Sequence, residues 1–467
     1  MNFDKQLLIS NYFIFIFQFF NKMEKVSNFK WLEDAKIYQV FIDRFHGYKK
    51  EYGEDELRKG FLYGNLKALI SKLDYIQSLN FNVIWINPFF VNQINGYHGY
   101  HVTNFNHVDP RFALGESKKN CKDIGNPRKD NDMDNMTEAD NILVDLINEV
   151  HKRNMKIMMD MVPNHVHSTH PFFIEAKENK ESKYYNWFYF FEKKEKVSDK
   201  SDKKINNKTK DNEKEKIIID YLKFLNVGEL PKLNLDYKEC GDYIIQVTKR
   251  YLKLGIDAIR LDHIIGPSKT YLKRFAEEIH KDYPNVPLIG EILPVAISSF
   301  SDTILGLNKE LLEKMDTITL DSLKAMDQSF YEYNGYLDGI VDYTFTYLID
   351  LFIKNKLSEN ELKKHLNDHY LFFENTNLFL LKQLDSHDID RILFRCGNDR
   401  NKFRKSMEYL YHKFDNRNDP LVLYYGTEDF MTQDKTMEGE PYGDFRVRQP
   451  MNFSFQWTKT FFKLKNE

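Results

Sequence analysis

The sequence is poor in cysteine and carries almost no net charge. Its three cysteines, Cys121, Cys240 and Cys396, are widely spaced, and none forms a C-x-x-C pair. The pattern argues against a disulfide framework or a zinc knuckle and predicts a reducing compartment, the cytoplasm. The formal charge is -3, from 67 Lys and Arg against 70 Asp and Glu. This balance gives no overall attraction to nucleic acid or to an anionic membrane.

The sequence also lacks a hydrophobic run long enough to cross a membrane. The one apolar stretch, Leu7 to Phe20, contains polar residues and is shorter than the ~20 residues that a spanning helix needs. No small-residue cleavage site follows it, so a secretion signal is the less favoured alternative. Met23 offers another translation start. We therefore predict that residues 1–35 form an extension outside the fold, and we expect no membrane partner.

What the sequence does have is apolar material for a large core. Hydrophobic residues make up 42% of the chain and aromatic residues 15%. From Lys36 onward, short β-rich runs alternate with amphipathic helical stretches, which predicts βαβ units around a parallel sheet. Eight such runs predict a (β/α)8 barrel, the TIM barrel fold. The predicted strands are Lys36–Ile42, Val83–Phe89, Lys156–Val162, Ala258–Leu261, Leu288–Leu293, Ile340–Phe345, Phe379–Leu384 and Leu421–Tyr425.

One connection of this predicted barrel is too long to be a loop. Roughly ninety residues separate the third and fourth strands, whereas an ordinary βα loop has ~2–6. The barrel is therefore predicted over 36–165 and 241–467, with a subdomain inserted at 166–240. Within the insert, Glu192–Lys216 is dominated by Lys, Asp, Glu and Asn and has no aromatic residue. We predict that this lysine-rich segment is a disordered surface loop.

Polar residues close four of the predicted strands. Asp160 to His165 closes the third strand, Arg260-Leu261-Asp262 the fourth, Glu291 the fifth and Ser386-His387-Asp388 the seventh. In an α/β barrel the carboxyl ends of the strands form the active-site face. Several carboxylates on one rim are what cleavage of a glycosidic bond requires, because one acts as nucleophile and another as proton donor.

These four motifs, in this order, resemble the alpha-amylase family of glycoside hydrolases, which includes neopullulanases and cyclomaltodextrinases. The resemblance extends from about Lys36 to about Phe453. It implies that Asp262 is the catalytic nucleophile, Glu291 the general acid/base and Asp388 a third carboxylate that stabilises the transition state. No cofactor is required for this chemistry.

The resemblance also implies a set of substrate-binding residues. Arg260 would pair with the nucleophile, lower its pKa and keep it ionised. His165 and His387 would bind hydroxyl groups of the sugar that is cleaved. In His98-Gly99-Tyr100 the tyrosine ring would stack on that sugar. An ordinary packing role for Tyr100 is the alternative.

Two further features bear on the subfamily and on calcium. Leu230-Pro231-Lys232-Leu233-Asn234 resembles the signature of neopullulanase-type members and points toward α-1,4-glucans. By resemblance Asn164 would be a ligand of a structural calcium ion. However, Ile265 and Gly266 stand where many amylases have a lysine and a calcium-binding histidine, which argues against a structural calcium ion. We also expect the carboxyl-terminal β-sandwich of the family to be absent, because only 456–467 follow the last motif.

The expected function is that of a retaining hydrolase of α-1,4 bonds in maltooligosaccharides or starch-like α-glucans. Two alternatives stay open within the family, transglycosylation and cleavage of α-1,6 bonds. A third is a non-catalytic barrel such as an amino-acid-transporter heavy chain. The presence of Asp262, Glu291 and Asp388 together favours the enzyme. The sequence does not indicate the oligomeric state.

Overall fold

The computed structural model describes residues 29–46, 53–115, 135–197, 214–293, 306, 309–314, 317–414, 417–439, 443–451 and 453. Three parts of the chain discussed above lie outside these residues, namely the apolar run from Leu7 to Phe20, Cys121 and the segment 456–467. The expectations for them stay predictions. Within the described ranges, no helix is both long and apolar enough to cross a membrane.

Eight parallel strands close into a barrel, which confirms the predicted fold. The first strand pairs with both the second and the last, so the sheet has no open edge. All eight predicted strands are present, with most of them ending one to three residues earlier than predicted. The barrel strands are β1 (Lys36–Val40), β2 (Val83–Ile86), β5 (Lys156–Met161), β8 (Ala258–Leu261), β9 (Leu288–Gly290), β10 (Gly339–Asp342), β11 (Phe379–Lys382) and β12 (Leu421–Tyr424).

Helices cover the outside of this barrel and follow the strands in alternation. They are α1 (Lys30–Glu33), α2 (Ile42–Phe45), α3 (Glu54–Lys59), α4 (Leu66–Ile70), α5 (Leu73–Ser78), α6 (Pro110–Leu114), α7 (Glu138–Lys152), α8 (Pro171–Glu178), α9 (Lys238–Leu254), α10 (Lys269–Asp282), α11 (Lys309–Lys314), α12 (Leu320–Tyr331), α13 (Tyr343–Ile353), α14 (Glu359–Phe372), α15 (Ile392–Arg395) and α16 (Arg400–Tyr411).

Two small antiparallel sheets lie outside the barrel. The first joins β3 (Phe90–Asn92) to β4 (Val102–Val108), directly after β2. The second joins β6 (Phe190–Val197) to β7 (Lys214–Tyr221) within the inserted segment. The insert returns to the barrel through an isolated bridge between His165 and Lys232.

The prediction of disorder across Glu192–Lys216 is wrong at both ends of that segment. Residues 192–197 and 214–216 belong to the β6–β7 ladder, which pairs every residue from Phe190 to Val197. A ladder is held by backbone hydrogen bonds, so charged side chains on its faces do not prevent it. The predicted window also ended just before the β-branched run Ile217–Ile219. The residues between the strands, 198–213, lie outside the described part of the chain.

The prediction that the whole of 1–35 is outside the fold is also wrong for its last residues. Leu32, in α1, and Ala35 are almost completely buried against the barrel. The carbonyl of Ala35 accepts a hydrogen bond of 3.1 Å from the Leu421 amide, at the start of β12. The described fold therefore includes the chain from Phe29 onward.

Candidate active site

The strand register brings the predicted catalytic motifs to one end of the barrel. Asp160 of β5 pairs with Arg260 of β8, and Arg260 pairs with Ile289 of β9. Asp262 and Glu291 follow directly after β8 and β9. Because parallel strands point the same way, these side chains all lie at the carboxyl-terminal rim.

Arg260 connects three carboxylates on this rim. Its Nη1 donates to Asp160 Oδ1 at 2.6 Å and to Asp262 Oδ1 at 2.7 Å. Its Nη2 lies 2.8 Å from Glu291 Oε1. The guanidinium is 1% exposed and lies 5.6 Å from the ring centroid of Trp85. A single buried cation thus holds the predicted nucleophile and the predicted acid/base.

Arg260 lowers the pKa of Asp262, as predicted, but the net shift of that pKa is upward. Burial raises the pKa of Asp262 well above its ordinary value, and the negative charges of Glu291 and Asp160 raise it further. The guanidinium of Arg260 opposes this rise but is outweighed by burial together with the two neighbouring carboxylates. The pKa of Asp160 is also raised by burial, although Arg260 opposes the shift.

Asp388 lies in a more positive environment. Its Oδ2 is 2.9 Å from His387 Nε2, and its Oδ1 accepts from Arg448 Nη2 at 3.0 Å. Burial opposes ionisation, but the His387 ring and the Arg448 guanidinium hold the pKa of Asp388 well below its usual range. Gln39 of β1 contacts the other nitrogen of His387 at 3.0 Å. Asp388 is therefore held as a carboxylate.

Tyr100 lies between these two groups of charges. Its hydroxyl donates to Asp160 Oδ2 at 2.8 Å and lies 2.8 Å from His387 Nε2. Its ring is nearly parallel to that of His387, with an interplanar angle of 8°. His98 lies beside it, with Nδ1 accepting from the Tyr100 amide at 3.1 Å. Burial, with nearby cationic and imidazole groups, lowers the pKa of His98 well below its usual value, so this ring is neutral.

His165 is placed under the inserted subdomain. Its Nε2 lies 3.2 Å from the carbonyl of Tyr100, and its ring stacks on Phe224 with centroids 4.4 Å apart. Phe224 also contacts the ring of His263, which follows Asp262. Burial lowers the pKa of His165 to about 3. It is a neutral hydrogen-bonding group at the edge of the site.

Asn164 does not have the surroundings of a calcium ligand. Its Oδ1 accepts a hydrogen bond of 2.7 Å from Lys232 Nζ, and the same amine donates to the Gly266 carbonyl at 2.6 Å. Lys232 is 1% exposed, and its nitrogen occupies the space between the two oxygens. Among the described residues, no group of three or more His, Cys, Asp or Glu could hold a metal ion. These residues do not fit a divalent cation.

The sequence interpretation missed two residues of the site. Arg448 binds Asp388 although it lies beyond the last barrel strand, and nothing in the local pattern indicates this contact. Tyr343 follows β10, and its hydroxyl donates to Glu291 Oε1 at 3.0 Å. The rule that polar residues close strands could have found it, but the predicted strand ran on to Phe345 and concealed Asp342 and Tyr343.

The fold and this rim define a (β/α)8 barrel with a cluster of buried carboxylates at its carboxyl-terminal end. The model of the alpha-amylase catalytic domain matches residues 39–140 and 137–461 of the chain. The chain therefore belongs to the alpha-amylase family.

Curated relatives and solved structures are consistent with this assignment. The chain is 28% identical over 374 residues to Alpha-amylase 2 of Dictyoglomus thermophilum, covering 79% of this chain and 51% of that protein. It is 24% identical over 439 residues to the Intracellular maltogenic amylase of Bacillus subtilis, covering 91% and 60%. The chain thus spans about half to three-fifths of these relatives.

The solved structures show the same fold. The alpha-amylase from Geobacillus thermoleovorans, complexed with acarbose, superposes with a TM-score of 0.60 at 24% identity and covers 92% of this chain and 77% of that one. A cyclic alpha-maltosyl-(1-->6)-maltose hydrolase from Arthrobacter globiformis gives a TM-score of 0.63 at 20% identity, covering 93% and 81%.

Proposed function

We propose that the protein is a retaining glycoside hydrolase that cleaves α-1,4-glucosidic bonds in maltooligosaccharides or starch-like α-glucans. The observation that carries the proposal is the binding of Asp262 and Glu291 to the two terminal nitrogens of one guanidinium, that of Arg260. This contact brings the two carboxylates together on neighbouring strands. Retaining glycosidases need such a pair, with carboxyl groups about 5–5.5 Å apart.

In the proposed reaction, Asp262 attacks the anomeric carbon while Glu291 protonates the departing glycosidic oxygen. A covalent glycosyl intermediate forms on Asp262. Glu291, now a carboxylate, removes a proton from the water that hydrolyses this intermediate. Two inversions at the anomeric carbon give net retention, so the α-anomer is the first product.

The remaining groups bind the sugar. Asp388, held ionised by His387 and Arg448, lies across the rim from Arg260 and accepts hydrogen bonds from sugar hydroxyls. Tyr100 presents its ring to the sugar, and its hydroxyl is already fixed by Asp160 and His387. When the side chains of a site are already held in place by hydrogen bonds, they stabilise the transition state without having to reorganise during the reaction.

The names of several relatives support an α-glucan as substrate. They include an Intracellular maltogenic amylase and a Cyclomaltodextrinase. The first of these names, with two free buried cysteines, Cys240 and Cys396, also supports the cytoplasm as the proposed location.

Proton NMR during the first minutes of maltoheptaose hydrolysis tests the proposal. The α-anomeric signal of the new reducing end should appear before mutarotation. Asp262→Asn should abolish turnover while the substrate still binds, which separates loss of chemistry from loss of folding. A β-anomer as first product would overturn the retaining mechanism. Absence of sugar release from maltoheptaose, pullulan and cyclodextrins alike would overturn the hydrolase assignment.

A further inference from the structure

Among the described residues Glu291 has three hydrogen-bond donors, and one of them, the Tyr343 hydroxyl, is a side chain to which the mechanism above gives no role. Arg260 Nη2 and the Tyr343 hydroxyl both contact Oε1, at 2.8 and 3.0 Å. The backbone amide of His263 contacts Oε2 at 3.1 Å. Glu291 is 4% exposed, so water contributes little to the surroundings of its carboxyl group.

The two donors on Oε1 decide which oxygen can carry the proton. A carboxylate oxygen has two lone pairs, and on Oε1 both are used by Arg260 and Tyr343. Within the described ranges Oε2 has one protein donor, the His263 amide, and therefore keeps a lone pair for the proton that is given to the substrate. Without the Tyr343 hydroxyl, Oε1 would have a free lone pair and the two oxygens would become nearly equivalent.

Tyr343 itself is held rigidly and stays protonated. It is the first residue of α13, and Asp342 caps that helix by accepting from the Phe345 amide at 2.8 Å. The side chain is 2% exposed. Burial, with the nearby charges of Glu291 and Asp388, raises the pKa of Tyr343 well above its ordinary value. Its hydroxyl is thus a permanent donor and not a second acid.

We propose that Tyr343 is a positioning residue that fixes the carboxyl group of Glu291 with Oε2 toward the glycosidic oxygen and stabilises the carboxylate formed when the proton leaves. In the first step the proton passes from Oε2 to the glycosidic oxygen as the bond from that oxygen to the anomeric carbon breaks. Asp262 supplies the electron pair of the bond that forms between its carboxylate oxygen and the anomeric carbon. The leaving sugar departs as a neutral alcohol. This inference rests on the proposed function.

The test compares Tyr343→Phe with Tyr347→Phe in the full chain. Both variants remove one hydroxyl from a tyrosine of α13, and the two rings are neighbours with centroids 6.3 Å apart. Of these two tyrosines, only Tyr343 has a hydrogen bond to Glu291 in the described part of the chain. The substrates are maltotriose, whose leaving group needs a proton, and α-maltosyl fluoride, whose leaving group does not. The value compared is kcat/KM, because it reports the reaction only through the first chemical step.

We expect Tyr343→Phe to lower kcat/KM about 10- to 100-fold on maltotriose, within the range that general acid catalysis contributes. On α-maltosyl fluoride the decrease should be less than about threefold. The basic limb of the pH profile on maltotriose should also move to higher pH, because the carboxylate form of Glu291 has lost a donor. Tyr347→Phe should show neither change, and both variants should keep the wild-type melting temperature.

Three outcomes would overturn the inference. Equal decreases on both substrates would show that Tyr343 acts through general packing. Unchanged kinetics with an unchanged pH profile would show that its hydroxyl has no role. A wild-type protein that releases no sugar from either substrate would remove the proposed function and this inference together, whereas active wild type with an unaffected Tyr343→Phe would overturn the inference alone.

Discussion

At the scale of single residues, Arg260 controls the charge balance of the rim. Three carboxylates bound to one guanidinium would carry two net negative charges in a buried space. Burial raises the pKa values of Asp160 and Asp262, and for Asp262 the charges of Glu291 and Asp160 add to the shift. The proposed mechanism requires that Glu291 carry a proton when substrate is bound, with Asp262 ionised.

Tyr100 provides a prediction at the same scale. Tyr100→Phe keeps the stacking ring but removes the 2.8 Å donor of the buried Asp160 Oδ2, whereas His387 Nε2 keeps its contact with Asp388. An unsatisfied buried group costs about 1–3 kcal/mol, which is a decrease of roughly 5- to 150-fold if it falls on kcat/KM. Steady-state kinetics on maltotriose would measure it, and Tyr100→Ala should lose still more because the ring is lost as well.

Tyr271→Phe is the matched control for this variant. Tyr271 is a buried tyrosine of α10, and its hydroxyl has no hydrogen-bond partner among the described residues. Its replacement should leave kcat/KM unchanged. If Tyr100→Phe is indistinguishable from this control, the hydroxyl does not organise the site and only the ring matters.

At the scale of elements, a buried charge cluster joins α12, α13 and α14. His369 Nδ1 lies 2.9 Å from Asp327 Oδ1, and its Nε2 lies 3.1 Å from Asp342 Oδ2. Burial opposes protonation, but the two carboxylates raise the pKa of His369 to about 10. Asp342 also caps α13, so the cluster holds in place the helix whose first residue is Tyr343.

The raised pKa predicts how stability depends on pH. An unfolded histidine has a pKa of about 6.5, so the folded protein binds the extra proton between about pH 6.5 and pH 10. The contribution of His369 is complete below that window and is lost as the pH rises through it. In His369→Gln, the free energy of unfolding at pH 6 should fall by about 3–5 kcal/mol, because two buried carboxylates lose their cation. Its decrease between pH 6.5 and 10 should be shallower than in wild type.

Urea unfolding at several pH values would measure both effects. His151→Gln serves as the control, because His151 pairs with Asp257 on the surface and is 37% exposed. It should change stability little at any pH. Parallel stability curves for wild type and His369→Gln would show that His369 is not protonated in the fold.

At the scale of the whole molecule, the barrel could be predicted from sequence because its strands are apolar runs closed by polar residues. The same rule found Asp262, Glu291 and Asp388. It could not find Arg448, since this contact joins residues 60 positions apart and depends on the closure of the barrel. Nor could it find the ends of the β6–β7 hairpin, because backbone pairing depends on a partner strand and not on the composition of one segment.

Lys232 joins the inserted subdomain to the barrel. Its amine binds Asn164 Oδ1 after β5 and the Gly266 carbonyl after β8. Gly266 is required for this approach, because a Cβ there would lie 2.1 Å from Asn164 Oδ1. Burial lowers the pKa of Lys232 to about 7, yet in either protonation state the nitrogen has N–H groups for both oxygens. A lysine thus links the parts that a calcium ion at Asn164 would otherwise link.

This arrangement predicts that a chelator has no effect. Excess EDTA should leave both the melting temperature and the turnover of maltotriose unchanged, and added calcium should improve neither.

Lys232→Met should lower the free energy of unfolding by about 1–3 kcal/mol, because two buried oxygens lose their donor. Lys156→Met, at a lysine that is 43% exposed and pairs with Asp257 on the surface, should be nearly neutral. Calcium-reversible loss of activity in EDTA would show that an ion, and not Lys232, holds the inserted subdomain on the barrel.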